Sequence, residues 1–177
     1  SLRISAGSAF DPGDKAGLAT MTADLATRGT ETRSATQVAS QIESLGASIG
    51  ASAGADATDV SVSTRSDKAK DVFAIMADVV QNPAFAQEEL DRARQEALDN
   101  LMVSLRQPRA IGGFAMNRAL YGAGPYGGTP SPKSIGALAQ ADIAGCHDSW
   151  WRPNNAVLVI AGDISAKDGF ALAKSTL

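Results

Sequence analysis

The chain contains one histidine, His147, and one cysteine, Cys146, and they are neighbours. Any acid-base triad or histidine-bearing metal site made by this chain alone has to use His147. On a helix, however, consecutive side chains point about 100° apart and do not converge on one ion. A partly buried structural pair is therefore the simpler expectation. Two overlapping G-x-S-x-G matches, Gly46-Ala47-Ser48-Ile49-Gly50 and Gly50-Ala51-Ser52-Ala53-Gly54, offer Ser48 or Ser52 as an acyl-transfer nucleophile. A nucleophile elbow needs a strand, a sharp turn and then a helix, whereas this segment reads from helix to strand. Chance matches are common where small residues crowd.

The remaining candidates are no stronger. GAGPYGG, residues 122 to 128, lacks the Gly-Lys-Ser/Thr ending of a phosphate loop and reads as a surface loop. EELDRARQE, residues 88 to 96, carries charges at helical spacing, the mark of a solvated helix face rather than a carboxylate site. Trp150-Trp151 reads as a core anchor ahead of a strand more readily than as a binding platform. GLATMTADLATRGT, residues 17 to 30, has a small-residue entry, an apolar helical stripe and a Gly-Thr exit. Its inner positions Thr20, Ala23 and Asp24 bear nothing equipped for a reaction.

The elements that would position these residues follow from periodicity. LRISAGSAF alternates as a half-buried strand, and DPGDKAG supplies a turn. Leu18, Met21 and Leu25 share one face of a first helix that Gly29 ends. Val38, Ile42 and Leu45 share one face of a second, closed by Gly46 and capped by Ser34 or Thr36. Alternation then predicts a hairpin, with small residues up to Ala55 and the strand DVSVST at 59 to 64. A helix over 67–80 follows, with Val72, Phe73, Ile75, Met76 and Val79 as core, and NPAF stops it. A long helix covers 87–105, Pro108 interrupts, and helix resumes over 111–120. Two short helices near 132–151 lead to RPNNAVLVIAGDIS, whose apolar run predicts a buried strand ending at Gly162-Asp163. A last helix covers 165–177. The expected fold class is α+β, with helices layered on one face of a mainly antiparallel sheet.

Composition narrows the function classes. Of 177 residues 44% are hydrophobic and 20% charged, which suits one folded domain over residues 1–177 with a proper core. The net charge of -3, with 16 basic residues scattered among 19 acids, argues against a nucleic-acid partner. AVLVIAG is far too short for a membrane span. A single cysteine excludes an internal disulfide and leaves the redox compartment open. The opening SLRISAG without Met and the close at AKSTL within a helix lead us to expect a piece of a longer chain.

Six stretches in order resemble the pitrilysin or insulinase family of zinc peptidases: GSAFDPGDKAGLA, RGT, IESLGASIGASAGAD, NPAFAQEELDRAR, LYGAGPYGGTP and RPNNAVLVIAGDI. The resemblance is to the first domain of one of the two similar halves from which the family's processing-peptidase relatives are built. It implies H-x-x-E-H on the first helix, two zinc ligands and a general base. With Gly17 and Gly29-Thr30 as anchors, those positions are Thr20, Ala23 and Asp24. The family's third ligand, a glutamate, falls near Leu101, beside Asn100 and Asp99, with Glu96 a little over one turn earlier. The resemblance thus implies no catalytic residue and no metal ligand here, and zinc only in a catalytic partner half. That partner is a zinc-motif peptidase subunit or a second half of the same polypeptide, the two closing a chamber around peptides. The strand after the second helix pairs with peptide in catalytic halves, and its counterpart is Ala47-Ser48-Ile49-Gly50-Ala51, with Gly50 where asparagine is expected. The other reading is a structural or assembly subunit of the same fold with no peptidase role. Relatives of this small-residue-rich type point to a bacterial periplasm.

Overall fold

The computed structural model describes residues 1–176. Its sheet has four strands, β1 (Leu2–Ile4), β2 (Ser48–Ala53), β3 (Thr58–Ser63) and β4 (Ala156–Leu158), in the order β2-β3-β1-β4 with every pair antiparallel. Register follows the alternation of side chains: Leu2 pairs with Val60 and Leu158, and Ile4 with Thr58 and Ala156. These residues face the helices, and Leu2, Ile4, Val60 and Thr58 are buried. On the opposite, open face lie Ser48, Gly50, Ser52 and Ser61, with Arg3 bonded to Asp59 through both carboxylate oxygens at 2.9 Å.

The helices lie against the other face. α1 (Leu18–Ala26), α2 (Ala35–Ser44) and α3 (Ala69–Gln81) bury the residues that their period puts on one stripe, including all five apolar residues expected of α3. Ser34 caps α2: it accepts from the Gln37 N–H at 3.2 Å while its own N–H donates to the Gln37 side chain at 2.8 Å. Gly46 follows α2 with a φ of 61°, a left-handed geometry that favours glycine. α4 (Gln87–Ser104) and α6 (Pro132–Gly136) close over α1, with α7 (Gln140–Trp150) beside them. α8 (Ala166–Thr176) lies on α3, and Leu177 falls outside the described residues.

Two expectations change. The break at Pro108 separates α4 from α5 (Pro108–Tyr121), but the second helix starts at Pro108 itself rather than at 111, because proline has no N–H to lose at the first helical position. The AVLVIAG segment is not a buried strand. Only Ala156–Leu158 pairs, and it forms the sheet edge with β1 as its one partner. Its alternate residues point to the open face, leaving Val157 60% and Val159 56% exposed. An apolar run reads as buried on both faces only if both faces are covered.

Leu25 of α1 is 1% exposed in the cluster shared with α4 and α7, whereas Thr20 on the same helix is exposed. Leu25→Ala should therefore destabilise the chain by about 2–5 kcal/mol in urea unfolding. Thr20→Ala should change stability by no more than about 0.5 kcal/mol in the same measurement.

Candidate functional site

Helix α1 is set by residues ahead of it. Asp11 reaches past the turn and accepts from the N–H groups of Gly17 at 2.8 Å and Ala19 at 2.9 Å, occupying donors that the first turn leaves free. Burial pushes the Asp11 carboxyl above the usual range, against the pull of those backbone bonds. Gly17 itself has a φ of 104°. Lys15 pairs with Asp142, and the Ser134 hydroxyl donates to the Ala16 carbonyl at 2.9 Å, so α7 and α6 both hold the approach to α1.

The three inner positions of the frame have different surroundings. Thr20 is exposed at the rim of an open cleft of about 770 Å³, shared with Arg118 and the 123–130 loop. Ala23 is 0% exposed. Asp24 is half-exposed and accepts from Arg28 at 2.9 and 3.2 Å. The same guanidinium spans to α4, where it holds Glu96 at 2.5 and 3.4 Å. The hydrogen bond to Glu96, opposed by burial and joined by Asp24, raises the Arg28 pKa above its already high value. Arg28 in turn holds Glu96 below the usual carboxylate range. Leu101, near which the resemblance put a third ligand, is buried in the same apolar cluster as Leu18, Met21 and Leu25.

These residues do not fit a zinc ion. Thr20 and Ala23 offer no imidazole, and both nearby carboxylates are already engaged by Arg28, whereas zinc sites take three or four protein donors. Among the described residues no group of three or more His, Cys, Asp or Glu side chains could hold a metal.

The other candidates are kept apart. His147 Nε2 lies 2.8 Å from the Val80 carbonyl, and its ring sits between Phe85 and Trp151 at 5.5 and 5.2 Å. Cys146 points instead toward Thr22 and Asp11, and burial raises its thiol pKa. Trp151 packs against both main apolar clusters, and Trp150 lies 4.9 Å from Phe10. Ser48 and Ser52 lie inside β2, so no turn or helix N-terminus presents them as nucleophiles.

β2 has one free edge. The Gly54 N–H donates to the Ala57 carbonyl at 2.8 Å, which fixes the alternation: Ser52, Gly50 and Ser48 bond to β3, and Ile49 and Ala51 turn their N–H and C=O groups outward. Two contacts were not anticipated from sequence. One is Arg28 to Glu96, signalled only by the i,i+4 pair Asp24 and Arg28. The other is the Tyr126 hydroxyl donating to Asp56 at 2.6 Å, which straps the Gly-rich loop onto the hairpin turn.

Helices and sheet together define an α+β domain of the kind found in peptidases. The chain belongs to the insulinase family, peptidase family M16, whose model matches residues 1–126. It is similar to the peptidase M16 inactive domain from Pseudomonas fluorescens, with 27% identity and a TM-score of 0.91 over 99% of this chain and 43% of that one. A protease from Helicobacter pylori shares the fold at 21% identity and a TM-score of 0.92, again over 99% and 43%. The periplasmic protease PqqL from Escherichia coli shares it at 21% identity and a TM-score of 0.86, over 99% of this chain and 20% of that one. The chain thus spans less than half the length of these structures. Among curated proteins none matches it.

Metal analysis and zinc titration calorimetry of the purified chain should give no stoichiometric zinc at neutral pH. One tightly held zinc per chain would contradict the donor argument. The Arg28 network also sets a pH dependence. Glu96 has a lowered folded pKa, so its pairing is present above the unfolded carboxylate value and is lost as pH falls through the folded one. Glu96→Gln should flatten the acid limb of the stability curve and slightly lower stability near neutral pH, where the charged pair is present, with no difference left in strong acid.

Proposed function

We propose that the chain is the non-catalytic domain of a two-part zinc peptidase, forming one wall of a chamber completed by a zinc-bearing subunit or a second half of the same polypeptide. Residues 1–177 act as a single domain in this role. The observation that carries the proposal is the Asp24–Arg28–Glu96 bridge, an intact helix frame in which a fixed cation joins the two carboxylates near the expected metal position. A wall of this kind contributes shape and peptide contacts and no bond-breaking chemistry. The free edge of β2 supports the peptide role, since the outward N–H and C=O groups of Ile49 and Ala51 suit an extended backbone of any sequence. Ser48, Gly50 and Ser52 beside it are small and leave room for side chains. Resemblance to an inactive M16 domain from Pseudomonas fluorescens favours the same reading.

The test is to produce the intact protein with an H-x-x-E-H protein of the same family encoded beside it, and to measure peptide cleavage by each alone and by both together. Cleavage well above that of the zinc protein alone supports the proposal. Equal cleavage with and without this chain favours an assembly subunit and sinks the peptidase role. Ile49→Pro, which removes an outward N–H, should raise KM for peptide and leave complex formation unchanged.

A further inference from the structure

We infer that the outer face of α5 is a docking surface for a partner protein whose apolar helix is flanked by carboxylates. Helix α5 is nearly apolar all round, PRAIGGFAMNRALY, yet none of its residues is buried. Its inner side is accounted for. Phe114 packs on the α1 cluster, Tyr121 lies 5.5 Å from Tyr126, and Arg118 donates to the Gly122 carbonyl at 3.0 Å. At 100° per residue, the opposite side presents Arg109, Gly112, Met116, Ala119 and Leu120. Met116 is 59% and Leu120 67% exposed, and Met102, Val103 and Leu105 at the end of α4 add further exposed apolar surface. A helix apolar on every side is normally covered on every side.

Two independent observations say what covers it. The first is Gly112 and Gly113 at mid-helix. Each glycine there weakens the helix relative to alanine. Nothing within the chain requires them, because a Cβ on either would meet no atom within 4 Å. The close approach they permit is therefore toward something outside, and small residues let a second backbone come near in a way lipid chains do not need. The second is charge. Residues 100–141 hold Arg106, Arg109, Arg118 and Lys133 and no Asp or Glu, in a chain whose net charge is -3. Arg106 and Arg109 form no ion pair among the described residues. Helix α5 itself carries Arg109 on its outer side and no carboxylate anywhere along its length, so it repels its own copy and attracts carboxylates, which selects a partner protein over a second chain. Four cations spread over this length are too dilute for a polybasic lipid site.

This inference rests on the proposed partnership and names the surface it uses. The test is sedimentation of the intact protein mixed with the zinc-motif protein described above. Gly112→Ala with Gly113→Ala should raise the melting temperature of the chain alone, yet weaken the complex about tenfold or more, as should Leu120→Asp. Arg109→Glu should weaken it and reduce its salt dependence, whereas Arg109→Lys should retain most of the binding. A complex indifferent to all four variants, or no complex, overturns the inference. So does a dimer of this chain that Leu120→Asp dissolves, or equally tight binding to phosphatidylserine vesicles. Enhanced cleavage by a pair insensitive to these variants removes the surface and keeps the proposed function. An α5-dependent complex without enhanced cleavage does the reverse.

Discussion

Helix α1 fixes the rest of the domain because seven of its nine residues are buried. A helix enclosed to that degree must satisfy its free N–H groups and any charge it carries from inside the fold. Asp11 meets the first requirement from six residues ahead of Gly17, and Arg28 meets the second by joining Asp24 to Glu96 across the gap to α4. The apolar side is then free to pack Leu18, Met21 and Leu25 on α4, α6 and α7. Removing Asp11 or the apolar residues would leave unpaired polar groups or cavities inside the fold.

The same economy governs the loop over the cleft beside Thr20. Gly127 lies so close to the Gly122 carbonyl that an added Cβ would sit 2.1 Å from its oxygen, and Gly7 meets the Gly54 carbonyl at 2.4 Å in the same way. The 3-10 turn at Ser8–Phe10 bonds to the hairpin turn through the N–H groups of Ser8 and Ala9, each at 2.9 Å. The Tyr126 hydroxyl completes the link by donating to Asp56. Loop, turn and hairpin tip therefore form one unit, which holds the cleft wall in fixed relation to β2.

Elements with a clear period were legible in the sequence. The stripes of α1, α2 and α3, the Ser34 cap and the β2-β3 hairpin all depend on neighbours a few residues away, and local chemistry decides them. β4 was misread because burial depends on what lies across the sheet, which a run of Val and Ile does not record. The role of Arg28 was hidden for the same reason, since Glu96 is 68 positions away and only the fold brings it within 2.5 Å. The family frame was legible as a whole, through six short stretches, while the chemistry of the site depended on what had replaced the expected residues.

Those replacements bear on whether the frame is merely waiting for its ligands. Thr20→His and Asp24→His would restore donors on the surface of α1, but Ala23→Glu would drive a carboxylate into a position that is 0% exposed. Leu101 belongs to the cluster that fixes α1 on α4, so a glutamate there would exchange an apolar contact for a buried charge. Arg28 would remain beside Glu96 and compete with any cation for it. Helix α1 is held by its buried side together with the Asp11 and Arg28 contacts.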